Sequence, residues 1–135
     1  MSAGVRDVAV GDTLPATTQF IDRAGLVQYA GASGDFNPIH WNQEFAEAVG
    51  LPGVIGHGML SMAVAARAVS AFAGDPRAIK RLRVRFSAMT QPGQTLTVSG
   101  SAAKVEGRTV TVSFSAENDA GERVLSKGEA VLELG

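Results

Sequence analysis

Proton-transfer chemistry near neutrality needs groups that titrate there, and this chain offers few: two histidines and no cysteine. His40 and His57 lie 17 positions apart, each beside a glycine- or proline-rich stretch rather than inside a strand-like pattern. His40 closes the run Gly34-Asp35-Phe36-Asn37-Pro38-Ile39-His40. An acid and an imidazole five positions apart across a rigid turn can converge on one small volume. A neutral imidazole there can accept a proton near pH 7, and a nearby carboxylate favours the imidazolium. Asn37 could hold the turn or orient Asp35 by hydrogen bonding. The same residues also fit an Asx-turn before proline with a surface histidine.

His57 belongs to Gly56-His57-Gly58-Met59-Leu60, which opens a helix-like segment. A helix start leaves backbone N–H groups unpaired and carries partial positive charge, so it can stabilise a developing oxyanion. Glycines there permit close approach by a substrate. A tight turn into a buried helix accounts for the same residues. Asp35, His40 and His57 could in principle make a two-histidine, one-carboxylate metal site, but their spread over two loops is weak spacing evidence. Gly31-Ala32-Ser33-Gly34-Asp35 lacks the final glycine of a serine-hydrolase elbow. Gly56–Ser61 departs from a dinucleotide fingerprint at its last position, and an alternating pattern rather than a βαβ unit follows it.

These residues need elements to hold them. Asp22 can cap a short helix carrying Leu26, Val27 and Ala30, with Gly31 as its expected stop. An ordered loop over 32–41 follows, and Pro38 disfavours helical geometry at Asn37. Asn42 can cap a second short helix with Phe45, Ala46 and Val49, closed by Gly50. The longest helix is expected from Gly56–Gly58 to about Ala73, ended by Gly74-Asp75-Pro76. It is apolar nearly all round, which predicts burial on every side.

From Ile79 onward the period changes to two. Leu82, Val84 and Phe86 alternate with Arg81, Arg83 and Arg85, and Leu96 and Val98 with threonines and serine. Val110, Val112 and Phe114 alternate similarly, and Val124, Ala130, Leu132 and Leu134 share one parity. All fall on even numbers, so each run turns one face toward a core. Frequent turn signals predict an antiparallel meander, with a small strand near Thr17–Ile21 completing the sheet. A buried helix beside a one-faced antiparallel sheet gives an α+β fold in which the sheet curves round the helix.

Composition narrows the classes further. A chain of 135 residues suits one domain, and a net charge of −1 argues against a general nucleic-acid or polybasic membrane surface. The absence of cysteine excludes a disulfide scaffold, thiolate metal sites and thiol catalysis. Met1–Val10 carries Arg6 and Asp7 and has no leader pattern, and Met59–Ala73 is too short for a bilayer span and contains Arg67. A soluble, cytoplasmic protein without membrane insertion is expected.

The segment Tyr29–His40, followed by Gly56-His57-Gly58-Met59-Leu60, resembles the hydratase/dehydratase signature of the MaoC-like family, which includes (R)-specific enoyl-CoA hydratases. Ile39-His40-Trp41 and Arg83-Val84-Arg85-Phe86 look closer still to the catalytic subunit of actinobacterial (3R)-hydroxyacyl-acyl carrier protein dehydratases. The resemblance covers residues 1–135 and implies a single hotdog domain, a sheet wrapped round the long helix. It implies interconversion of trans-2-enoyl and (3R)-hydroxyacyl thioesters, carried by CoA or acyl carrier protein. Asp35 and His40 would be the catalytic pair and the backbone N–H of Gly58 the oxyanion donor, with Gly34, Asn37, Pro38 and His57 shaping the site. No metal and no cofactor are implied. One departure is Ala66, where some bacterial hydratases carry a serine near the catalytic aspartate; Ser61 and Ser70 are the nearest hydroxyls in sequence.

Arg81, Arg83 and Arg85, with Lys80 alongside, could meet CoA phosphates or the acidic face of a carrier protein, or simply form a solvated strand face. Phe36, Met59 and Met62 are candidates for lining an acyl tunnel, or for plain core. A hotdog thioesterase is the rival enzyme class, though it usually lacks the Asp35-to-His40 pattern. Hotdog units commonly work in pairs, so a homodimer or a heterodimer with another hotdog subunit is expected.

Overall fold

The computed structural model describes residues 8–135, so most of the stretch inspected for a leader, residues 1–7, lies outside the described residues. Asp22 caps the first helix as expected: in extended conformation (φ −132°), it accepts the N–H of Gly25 at 2.7 Å. That helix, α1 (Arg23–Ser33), follows the short strand β1 (Thr17–Phe20) and runs through Gly31. The expected stop at Gly31 is therefore wrong. A glycine ends a helix by adopting the left-handed region, and it is Gly34, at φ 79°, that does so, its N–H returning to Ala30.

A one-turn 3-10 helix (Pro38–His40) and α2 (Gln43–Ala48, capped by Asn42) lead to α3 (Gly58–Ala73). Gly74, at φ 80°, closes α3. Ser61, Val64, Ala65, Ala68, Val69 and Ala73 form its buried stripe, and the small side chains let the sheet come close. Expected burial on every side does not hold. Met59 is 59% exposed, and Ala63 and Arg67 share that open face. One five-stranded sheet wraps one side of a helix, and hydropathy alone does not say which faces the same chain covers.

The strands are β2 (Ile79–Phe86), β3 (Thr95–Glu106), β4 (Thr109–Glu117) and β5 (Arg123–Glu133), in the sheet order β1-β3-β4-β5-β2 with antiparallel pairing throughout. A meander holds for β3-β4-β5 only. β2 pairs with β5 at the far edge, and the link from β2 to β3 crosses back beneath the site loops, where Thr90 accepts the Gly56 N–H and Gly93 donates to Ile21. Alternation reports which face is buried; it does not report which strands are neighbours.

The even-numbered face is the core face. Leu96, Val98, Val110, Val112, Ala116, Ala130 and Leu132 are buried there, and α3 packs against all five strands. On the edge strand β2 the same parity is half covered at Leu82 and Val84, and Phe86 is 51% exposed. Phe114 sits opposite Gly100 on one side and Gly128 on the other. A Cβ on Gly128 would stand 2.5 Å from the Phe114 carbonyl oxygen, and one on Gly100 2.7 Å from the Phe114 Cβ, so both glycines are required by close approach. The result is the expected α+β hotdog arrangement. No helix among the described residues is long and apolar enough to cross a membrane.

Candidate active site

The loop after α1 is set by short-range bonds. Asn37 has φ −54° and ψ 125°, the extended geometry its following proline demands, and its Oδ1 accepts the Ile39 N–H at 3.2 Å. Asn37 therefore holds the turn with its side chain and orients Asp35 with its main chain, whose N–H donates to Asp35 Oδ1 at 3.2 Å. Pro38 occupies the first position of the 3-10 turn, where a missing N–H costs nothing. The Trp41 indole N–H donates to the Phe36 carbonyl at 2.9 Å and closes the loop.

His40 is buried, and the loop is clamped beside the segment entering α3: Ile55 N–H donates to Ile39, and His40 Nδ1 lies 2.8 Å from the Ile55 carbonyl. A carbonyl only accepts, so Nδ1 carries the hydrogen and Nε2 of the neutral ring presents its lone pair. That lone pair lies 3.7 Å from Asp35 Oδ2, whose side chain is 53% exposed. The separation exceeds a direct hydrogen bond and leaves both atoms available to a third group.

His57 lies under this pair. Its ring stacks on His40 with centroids 3.7 Å apart and planes inclined by 20°, and the Tyr29 ring meets it edge-on at 4.7 Å. His57 Nε2 lies 3.2 Å from the Asp35 main-chain carbonyl and so donates to it. Burial holds this imidazole below the usual histidine range and the His40 charge adds to that, while the bond to Asp35 and the Asp35 charge oppose it. Gly58, exposed, is the first residue of α3, and N–H groups at that end have no acceptor within the helix. A Cβ on Gly58 would lie 3.2 Å from the Phe86 ring.

One ligating atom from each of Asp35, His40 and His57 falls within 4.8 Å of the others. Imidazole lone pairs lie in the ring planes, and planes inclined by only 20° do not converge at coordination distance, so the stack suits a metal poorly. Ala66 is half-buried and Ser61 fully buried; the hydroxyl that Asp35 meets is Ser33, which accepts the Asp35 N–H at 3.1 Å.

The structure thus gathers Gly34, Asp35, Asn37, Pro38, His40, His57 and Gly58 at one place. Two of the tunnel candidates, Phe36 and Met59, lie apart, and Met62 is half-buried on α3. Phe36, 62% exposed, lies in a shallow apolar depression with Val27, Ala30 and Trp41, and Met59 faces outward. A cleft of about 580 Å³ between β1, α1 and α3 is lined instead by Phe20, Ile21, Leu26, Tyr29 and Leu60 among others. Arg81, Arg83 and Arg85 are exposed along β2, where Arg83 lies 3.5 Å from Glu129, and the strand ends at Phe86 against Gly58. Sequence reasoning missed the Ile55 carbonyl and the Tyr29 ring. A carbonyl leaves no trace in residue type, whereas Tyr29 stood within the motif without a role.

A family model for the MaoC like domain matches residues 7–123. The peroxisomal enoyl-CoA hydratase 2 of Arabidopsis thaliana is 41% identical over 66 residues, 47% of this chain and 21% of the plant protein. The chain thus spans a fifth of that relative's length, and 4% of the fungal fatty acid synthase beta subunits it also matches. A solved MaoC-like dehydratase superposes with a TM-score of 0.91 at 36% identity, over 99% of this chain and 43% of the other. The R-hydratase PhaJ1 from Pseudomonas aeruginosa superposes at 0.89 with 26% identity, over 98% and 86% of the two chains. With the family model spanning most of its length and the same fold in both solved structures, the chain belongs to the MaoC-like hydratase and dehydratase family.

Proposed function

We propose that the chain adds water to trans-2-enoyl thioesters, and removes it from (3R)-3-hydroxyacyl thioesters, in fatty-acid metabolism. The observation that carries this is the 3.7 Å gap between His40 Nε2 and Asp35 Oδ2, with the Nδ1 hydrogen committed elsewhere. In hydration, the pair takes a proton from a water as its oxygen bonds to C3. The C2–C3 π electrons move onto C2 and the thioester carbonyl, and the pair returns a proton to C2. Dehydration runs the same bonds backward: the C2 proton leaves and the C3 hydroxyl departs, protonated, as water. Atoms and electrons balance without an oxidant, metal or cofactor. The Gly58 N–H receives the enolate oxygen, and one such donor typically lowers the barrier by about 3–4 kcal/mol.

The remaining assignments follow from position. The Arg81, Arg83, Arg85 stripe runs along β2, whose last residue Phe86 lies against Gly58, so it is the candidate surface for CoA phosphates or an acidic carrier protein. The cleft beside Tyr29 and Leu60 is the candidate acyl site, in place of the exposed Phe36 and Met59. β2 is a sheet edge, and the open face of α3, with Met59 and Ala63 exposed, supports pairing with a second hotdog unit, identical or not.

Loss of enoyl-thioester ultraviolet absorbance, followed with enoyl-CoA and enoyl-carrier substrates of graded chain length and with the product's handedness determined, tests the proposal. Formation of (3R)-hydroxyacyl product is expected. Thiol release without hydroxyacyl formation would overturn it in favour of a thioesterase. Activity appearing only after a second hotdog subunit is added would assign the chain to a heterodimer.

A further inference from the structure

The two ring nitrogens of His57 have different surroundings. Nε2–H donates to the Asp35 main-chain carbonyl, whereas Nδ1, buried with a residue only 2% exposed, has no hydrogen-bond partner among the described residues. A second proton on this ring would place a charged N–H where nothing accepts it. The groups facing the ring are His40 from the 3-10 turn, Asp35 from the loop before it and the Tyr29 ring from α1. Of these only the Asp35 carboxylate would welcome a cation, and its Oδ2 faces His40 Nε2.

Two imidazoles stacked at 3.7 Å do not both carry charge without strong repulsion. A proton arriving at the pair therefore has two destinations of unequal merit. On His40 it goes to Nε2, opposite a carboxylate. On His57 it goes to Nδ1, which is buried and meets no acceptor among the described residues.

We infer that His57 is a positioning residue for the reaction proposed above: it stays neutral, ties down the Asp35 main chain through Nε2–H, and as an uncharged plate beneath His40 reserves the pair's proton for His40 Nε2. This goes beyond a merely turn-forming role for the residue before Gly58. It rests on the hydratase reading for its catalytic meaning, but its protonation pattern belongs to the free protein. Burial, which disfavours the charged form of His57, acts in the same direction.

Nitrogen-15 spectra of the imidazoles in the full chain test the pattern directly, because two histidines give two ring systems. His57 is expected as the Nε2–H tautomer, its ring staying neutral as pH falls through the ordinary histidine range. A His57 that takes the first proton, or that carries its hydrogen on Nδ1, would overturn the assignment. Kinetics separate the two contacts. His57→Phe keeps an aromatic plate but loses the donor, and kcat for enoyl-thioester hydration is expected to fall about 10- to 100-fold with KM little changed. His57→Gln, which keeps an N–H donor at nearly the same reach, is expected to recover most of that loss. Unchanged kcat in folded His57→Phe, or no recovery in folded His57→Gln, would also refute it. An unsubstituted chain that hydrates nothing would count against the hydratase reading instead, and the spectra, needing no substrate, would then decide the His57 assignment.

Discussion

Asp35→Asn isolates the charge of the proposed pair with almost no change of shape. Asparagine keeps an Oδ1 to accept the Asn37 N–H, and the replaced Oδ2 is the atom 3.7 Å from His40 Nε2. At that separation, a carboxylate stabilises an imidazolium by about 1 kcal/mol at the dielectric of water and about 4 kcal/mol at an effective dielectric near 20. Asp35 is half exposed, so the charge alone contributes between these bounds, roughly five- to a thousandfold in rate. Loss of its share in proton transfer adds to this, since a positioned acid–base group is typically worth about 10²–10⁴-fold. The expected outcome is a fall in kcat of at least about 100-fold. The exposed position should leave unfolding free energy within about 0.5 kcal/mol of the parent. Steady-state hydration of an enoyl-CoA, beside a urea titration of the same preparation, makes both measurements. A folded Asp35→Asn chain that hydrates within tenfold of the parent would refute the reasoning.

Gly58→Pro removes the proposed oxyanion donor at the helix position where proline fits, and His57 already has the extended ψ of 134° that a following proline requires. The exposed Phe86 ring must shift slightly, and kcat is expected to fall about 10²–10³-fold in a folded protein; an unchanged kcat would show that the thioester oxygen lies elsewhere. Gly128→Ala drives a Cβ to 2.5 Å from the Phe114 carbonyl and is expected to cost about 1–3 kcal/mol in urea unfolding. Gly31→Ala, helical and with open space around it, is expected to stabilise by about 0.5–1 kcal/mol, so opposite signs are the check. His57 has its pKa lowered by folding, so between the ordinary histidine value of about 6.5 and its own lower value the unfolded chain binds more protons. Stability should therefore decline as pH falls below about 6.5, and urea midpoints should decline less in His57→Gln.

Legibility in the sequence followed the range of the interactions. Caps at Asp22 and Asn42, the extended Asn37 before Pro38, and the start and stop of α3 depend on a few neighbouring residues, and those positions were readable. The buried parity of β3, β4 and β5 was readable for the same reason. The partnership of β2 with β5 was not, because nothing in an alternating run names the strand beside it. Gly31 looked like a stop because composition marks where a chain can turn, whereas Gly34 shows where it does. At the site, type and spacing allowed Asp35 and His40 to converge but equally allowed a surface histidine after an Asx-turn, and it is the burial of His40 within 3.7 Å of Asp35 that separates the two. The stack of His57 on His40 arises from two segments clamped through main-chain bonds at Ile39, Ile55 and Thr90, and such bonds are silent about side-chain identity.

The staple between Trp41 and Phe36 has an optical consequence. Trp41 is the chain's single tryptophan, its ring is 44% exposed, and its indole N–H is held by the very loop that carries Asp35 and His40. Its fluorescence therefore reports from the candidate site without interference from any other indole. Opening of the loop releases the N–H to solvent and lengthens the emission wavelength, so a spectrometer can watch the Asp35–His40 turn through this one indole.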